Sequence, residues 1–458
     1  MFSDLPTEIL HLIARDLSSK DLYHLVSSSR RLHTVFQRIL YTNVALRPSE
    51  SKEQAFNIFL YTVTRKPRLA SYVRSLEVGW WDTISASNES NEEKVEFDGN
   101  LIRKLVYGRA GYSGEERSIW LEALELDNED AWLALLIPQL KELRKLNVTW
   151  PYGVYHVLNM LQRAATESEP MFPHLEEAYA AWYDTENAFS SHYMDSFFKF
   201  PSMRKVGCYM LAEYPNGDDD DAYVPGSEGS KVPIREMLPP QSSNITDIDL
   251  QESNAAEGMR EWVQACKALK SFRISHGGGQ ISFHDFEPRK IYKSLSLHKS
   301  TLESVWVEAH DGCGDYDDEW MGSFVNFTAL RLICASFGNL VGLDEHGLHV
   351  QKLGNVLPSS LETLYISLDG DQNFNAAIDQ LAELAASKRF PKLATIHLEY
   401  WNFKEPENAA RYEWLEERCQ RASVLCFSHN SKCWTKGEEE EMMELLWPHN
   451  EAHLLGCY

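Results

Sequence analysis

LETLYI, residues Leu361–Ile366, is the stretch on which the fold turns. Leu361, Leu364 and Ile366 stand at offsets 0, 3 and 5, with Thr363 and Tyr365 between them. Alternation of this kind suits a strand with one buried face. The phrase recurs as LRKLNV from Leu143, LEEAYA from Leu175, MRKVGC from Met203, ITDIDL from Ile245, LKSFRI from Leu269, LESVWV from Leu302, LRLICA from Leu330 and LATIHL from Leu393. VRSLEV from Val73 and ASVLCF from Ala422 belong to the same series. Several copies follow a proline by two or three residues: Pro173, Pro201, Pro358 and Pro391.

From Leu143 to Leu393 the successive starts are separated by 32, 28, 42, 24, 33, 28, 31 and 32 residues. The interval of 42 contains PNGDDDDAYVPGSEG, residues 215–229, a loop by composition, and without it 27 residues are left. Helical patterns such as GVYHVLNMLQRAAT and NAAIDQLAELAAS lie between phrases. Strand and helix at a period near thirty is the mark of a solenoid. The gap of 70 residues between Val73 and Leu143 has room for a further repeat and an acidic insertion around SNESNEEKVEFDG.

The phrase resembles the leucine-rich repeat, Leu-x-x-Leu-x-Leu, in a longer and irregular form. It departs from that family three residues further on, where Asn or Cys is usual and Pro151, Tyr183 and Gly277 stand here. The resemblance implies an α/β solenoid, with parallel strands lining a concave face and helices on the convex side. If offsets 0, 3 and 5 point inward, offsets 2, 4 and 6 point to the concave face. Tyr179, Tyr209, Trp306, Tyr365, His397 and Glu399 are therefore the candidate substrate-binding residues. Large aromatic side chains on such a face are typical anchors.

The amino-terminal segment reads differently. In LPTEILHLIARDLSSKDLYHLVSSSRRLHTVFQRILY, Leu5–Tyr41, apolar residues recur at helical spacing with two breaks. Pro6 suits a helix start and Glu8 favours its positive end. Leu5, Ile9, Ile13 and Leu17 follow at steps of four, with Leu10 alongside. Ser18 with Asp21 opens a second helix carrying Leu22 and Leu25, and the Ser27–Ser29 run opens a third carrying Leu32, Phe36 and Leu40. Three helices this short bury little area alone, which points to a module completed by another surface.

These residues resemble the F-box: Leu5-Pro6, Glu8-Ile9-Leu10, Asp21-Leu22, Ser29-Arg30-Arg31-Leu32 and a closing Leu40-Tyr41. Ser27 and Ser28 depart from it, standing where an apolar residue or threonine is usual. The resemblance implies docking on the Skp-type adaptor of cullin-based ubiquitin ligases through Leu5, Pro6, Ile9, Leu10, Ile13, Leu17, Leu22, Leu25, Leu32, Phe36 and Leu40. The expected function is that of a non-catalytic substrate-recognition subunit of an SCF-type ligase. The alternative is a repeat scaffold that binds proteins without ubiquitin transfer. The expected organisation is an F-box over 1–46, a joining helix and first repeat over 47–80, and a solenoid over 81–430. Acidic loop insertions fall near 82–115 and 215–229, and a C-terminal cap or tail covers 431–458.

Composition narrows the partners. With 43% hydrophobic residues, the 458-residue chain can fill a large core. Its net charge is −24, of which residues 1–46 contribute +1. An acidic body disfavours nucleic acid and anionic membranes and favours a basic protein target. No stretch approaches the roughly 20 apolar residues of a membrane span, and the amino terminus lacks a signal-peptide pattern. A cytoplasmic or nuclear location with reduced thiols is expected for the eight scattered cysteines. DGCGDYDDEW, residues 311–320, lacks the glycine and glutamate of a calcium loop. HGGGQ from His276 lacks the Lys-Ser/Thr of a phosphate loop. Cys426, His429 and Cys433 lack a second close pair for zinc. No cofactor, metal or catalytic residue is expected.

Overall fold

A computed structural model describes residues 5–46, 55–83, 98–108, 112–184, 187–213, 237–277, 286–309, 319–342, 349–368 and 373–429. They divide into two compact units. One runs from the amino terminus through Tyr183 and includes Lys199–Met203; the other holds Asp184–Phe198 and the described residues from Arg204 onward. The insertion at 215–229 and the segment 431–458 lie outside the described residues.

The first unit opens with α1 (Thr7–Ala14), α2 (Ser19–Ser28) and α3 (Arg30–Leu40). Their ends are fixed by the side chains the sequence singled out. The Ser18 hydroxyl accepts the Asp21 N–H at 3.2 Å, and the Ser29 hydroxyl accepts the Leu32 N–H at 3.2 Å. Each satisfies one donor that a helix start would otherwise leave unpaired. The Arg31 guanidinium donates to the Leu5 carbonyl at 2.7 Å, tying the entry of α1 to α3.

There follow β1 (Asn43–Leu46), α4 (Ala55–Arg65), α5 (Pro67–Ala70), β2 (Ser75–Val78), α6 (Gly99–Tyr107), α7 (Gly114–Glu125), α8 (Glu129–Leu136), β3 (Lys145–Trp150), α9 (His156–Thr166) and β4 (Glu177–Trp182). The four strands pair in parallel, in the order β1-β2-β3-β4. Two features depart from the sequence reading. The sheet starts at β1, ahead of the first recognised phrase. The 70-residue gap holds no further repeat strand among its described residues, because Ser75 of β2 pairs directly with Lys145 of β3. Helices α6, α7 and α8 occupy it, so the described part of the 82–115 insertion is largely helical rather than loop. A capping box between Ser113 and Glu116 starts α7.

Asp130 of α8, 1% exposed, holds the start of α9. Its carboxylate accepts the N–H groups of Tyr155 at 2.7 Å, His156 at 2.5 Å and Val157 at 2.9 Å. Those donors have no partner inside their own helix.

The second unit contains β5 (Phe189–Ser190), β6 (Lys205–Tyr209), β7 (Leu211–Glu213), β8 (Asp247–Ala255), β9 (Ser271–His276), β10 (Ser304–Ala309), β11 (Leu332–Ser336), β12 (Thr363–Ser367), β13 (Thr395–Glu399) and β14 (Leu425–His429). The main sheet runs β6-β8-β9-β10-β11-β12-β13-β14, parallel throughout. The short β5 and β7 form a side ribbon against the end of β8. One strand per phrase, each beside the next, is the α/β solenoid arrangement expected from the period. The strands keep equal offsets in register: Val305 faces Ile333, Ile333 faces Leu364, and Leu364 faces Ile396. These residues are fully buried, as are Leu302, Leu330 and Leu361 at offset 0. Connecting helices cover this side. The helix Phe374–Ala386, for example, buries Phe374, Ala377, Ile378, Leu381 and Leu384. Among the described residues no helix is long and apolar enough to cross a membrane.

Candidate functional site

Two surfaces follow from this architecture. The first is on α1 and α2. Leu10, Ala14, Leu22, Leu32 and Phe36 form a closed core among the three helices, with Leu5, Leu17, Leu25 and Leu40 packed against it. Leu10, Leu22, Leu32 and Phe36 are therefore interior residues, and the expectation that they contact an adaptor directly is corrected. Each helix must bury one stripe to hold the other two, and the most apolar positions are used for that purpose. Ile13, Leu5, Leu17, Leu25 and Leu40 are half-buried, while Pro6 and Ile9 are exposed. Ile9 is 42% and Leu12 53% exposed, and at a spacing of three they share one face of α1. Tyr23 on α2 is 60% exposed. Leu12 and Tyr23 were not singled out from sequence. Tyr23 follows Leu22 directly, and that step turns it out of the core.

The second surface is the strand face opposite the connecting helices in the second unit. Register places Asp249, Arg273, Trp306, Cys334, Tyr365, His397 and Phe427 in one column across β8 to β14. The sequence reading offered Trp306 and Tyr365 as exposed anchors, and Tyr179 in the first unit likewise. All three are only 1% exposed. The physical reason is cross-strand packing. Trp306 and Tyr365 sit on β10 and β12, with the small Cys334 between them, and both rings lean over the sulfur until their centroids are 5.5 Å apart. The Arg273 guanidinium lies 5.0 Å from the Trp306 ring and its charge faces Asp249, both side chains being nearly inaccessible. Tyr179 is covered similarly by the Lys145 ammonium, 5.0 Å from its ring. Tyr209 is half-buried at the other end of the sheet on β6.

Beyond Tyr365 the column opens. Tyr365 donates its hydroxyl to Glu399 at 2.6 Å and stacks on His397, whose ring stacks on Phe427 at 5.1 Å. His397 and Glu399 are half-buried, whereas Phe427 is 44% and Leu425 62% exposed. Facing nitrogens of His397 and His429 are 2.9 Å apart. The structure thus brings Trp306, Tyr365, His397 and Glu399 together and leaves Tyr179 and Tyr209 on other strands. Leu425 and Phe427 were overlooked because the sequence reading placed them at the inward offsets 3 and 5 of ASVLCF, whereas the register pairs Cys426 with the inward Ile396 and turns Leu425 and Phe427 to the open face.

The titratable side chains from Cys334 to His397 in the column are held neutral. Burial, reinforced by the carboxylate of Glu399, holds the Tyr365 hydroxyl well above its usual range. Burial, with His429 beside it, pushes His397 down to about 4, so the ring is neutral at physiological pH. The Cys334 thiol is raised by burial and then by Glu308, which leaves no thiolate for nucleophilic work. Among the described residues no three His, Cys, Asp or Glu side chains come together as a metal site. His429 faces His397, and Cys433 lies outside the described residues.

Residues 232–436, which take in β8 through β14, match the family model of a leucine-rich repeat domain. No curated protein matches the chain. Leucine-rich repeats are in general non-catalytic protein-binding modules, and the match points this region to protein–protein interaction.

Proposed function

We propose that the chain is the substrate-recognition subunit of an SCF-type, cullin-based ubiquitin ligase. Helices α1–α3 form the F-box that docks on a Skp-type adaptor, and the repeats hold a protein target. The observation that carries this reading is the self-contained three-helix core with Ile9, Leu12 and Tyr23 still exposed. Apolar side chains left outside a completed core at the head of a repeat protein suit a second polypeptide. The chain performs no chemistry. It positions target lysines near the charged enzyme and so raises their effective concentration.

The test is adaptor binding by purified protein. Ile9→Asp with Leu12→Asp should weaken capture by at least about a hundredfold, since a charge in an apolar interface costs several kcal/mol. The melting temperature should barely move, because both residues are already exposed. Wild-type affinity should change little with salt, in contrast with a charged contact. Undiminished binding by the double variant would refute this docking surface. Recovery of the repeats' partners without cullin would favour the scaffold reading.

For the target, the open end of the column supports a contact at Leu425, Phe427, His397 and Glu399. Phe427→Ala should reduce target recovery severalfold, leave adaptor capture intact and cost under about 1 kcal/mol of stability, as expected for a half-exposed ring. Co-precipitation after proteasome inhibition, paired with thermal melts, reads both quantities.

A further inference from the structure

The turn between the last described helix and the last strand brings two thiols together. Cys419 lies in the final turn of the helix Pro406–Arg421 and is fully buried, while Cys426 is the second residue of β14 and is half-buried. Between them Ser423 adopts φ 60°, in the left-handed region, and the Val424 N–H returns to the Cys419 carbonyl at 2.9 Å. The strand is thereby folded back onto the helix it has just left. The Cys419 and Cys426 thiols are thus side-chain hydrogen-bond partners, and the Tyr412 hydroxyl, from two turns earlier in the helix, reaches the same Cys426 sulfur.

We propose that Cys419 and Cys426 are a redox-modification site that forms a reversible disulfide under peroxide, with Cys426 attacking and Cys419 resolving. The two hydrogen bonds, first that with Cys419, hold the Cys426 thiol below its usual range against the opposing effects of burial and of Glu416. The other described cysteines contrast with it. Cys208, Cys266 and Cys334 are fully buried, and burial raises each of them. Cys419 is raised as well, chiefly by its hydrogen bond to Cys426 and then by burial, as suits a resolving thiol that waits as S–H.

The atoms balance as follows. The Cys426 thiolate attacks one peroxide oxygen, the O–O bond breaks, and the departing hydroxide takes a proton to leave as water. Cys426 is then a sulfenic acid and no longer accepts the Cys419 proton as a thiolate would. Cys419 sulfur attacks Cys426 sulfur, its proton passes to the leaving hydroxyl, and a second water departs. Two thiols are oxidised, and hydrogen peroxide, the oxidant, is reduced to two waters. The bond fixes the helix to the strand that carries Leu425 and Phe427. The proposal does not depend on the ligase reading.

The experiment treats the reduced full-length protein with hydrogen peroxide, blocks remaining thiols by alkylation and maps the peptides. The expected result is the loss of two free thiols, joined as Cys419–Cys426 and restored by dithiothreitol. Cys419→Ser should accumulate a sulfenic acid on Cys426 that dimedone traps, and Cys419→Ala keeps the test valid if serine disturbs the helix. Cys426→Ser should leave Cys419 reduced at the same dose, and Tyr412→Phe should slow oxidation severalfold. Pairing of Cys426 with Cys433 instead, oxidation of Cys208 or Cys334 before Cys426, or no gain in dimedone labelling in either Cys419 variant would overturn the proposal.

Discussion

Trp306→Ala will lower the stability of the second unit by about 3–5 kcal/mol, the range for deleting a fully buried large aromatic side chain. For a unit of this size that is a drop of roughly 10 °C in melting temperature. Trp306 is 1% exposed and holds three neighbours in place, namely Arg273 on one face and Cys334 with Tyr365 on the other. Removing the indole deletes the packed surface that shields the Arg273–Asp249 pair, whose charges are costly to leave half-solvated. Trp306→Phe should recover about half of the loss, because a ring can still stack over Cys334. Differential scanning calorimetry measures both. A Trp306→Ala melt within 2 °C of wild type, on the order of a surface substitution, would return Trp306 to the role of an exposed anchor.

Asp130→Ala should be comparably damaging in the first unit. The carboxylate accepts three backbone N–H groups at the start of α9, two of them buried and that of Tyr155 partly so, and alanine removes the acceptor from all three. At about 1–3 kcal/mol for each unsatisfied buried group, a loss of at least 3–5 kcal/mol is expected. Burial outweighs the three hydrogen bonds and raises the Asp130 carboxyl to about 6. A raised pKa means that this group's contribution is complete below its ordinary value of 3.8 and is lost as pH rises through about 6. His156, next to it and pushed down to about 3 by burial, acts oppositely: its contribution is complete above 6.5 and is lost as pH falls through about 3. Between about pH 4 and 6 the two slopes largely cancel. Asp130→Asn removes one of them, so its stability should climb with pH more steeply than wild type by about 1.4 kcal/mol per unit. Urea melts at several pH values decide the matter, and parallel curves for the two proteins would contradict it.

Much of the second unit was legible in the sequence because one apolar phrase maps to one strand. LESVWV, LRLICA, LETLYI and LATIHL each begin two residues before β10, β11, β12 and β13, and their offsets 3 and 5 are buried. β5 and β7 escaped because strands of two or three residues carry no readable alternation. The helical content of the long gap was missed because the acidic run hid the capping signals of Asp98 and Ser113. The interaction surfaces were less legible. Whether Trp306 is exposed depends on the size of residue 334 on the neighbouring strand, and whether Phe427 is exposed depends on its standing opposite His397 rather than opposite an inward residue of β13. Both facts belong to the register, and no local pattern encodes them. The same limit applied to α1–α3, where periodicity identified apolar residues without dividing those that join the helices from those that face outward.

Because each strand of the main sheet in the second unit hydrogen-bonds only to its immediate neighbours, order there should be lost in sequence rather than all at once. Amide exchange ought to be fastest in β14, slower in β13, and slowest near β9 and β10. Excising one complete period, strand and helix together, would join two still-matching halves and shorten the protein without scrambling it. A lineage could gain or lose reach by that route while the remaining turns keep their shape.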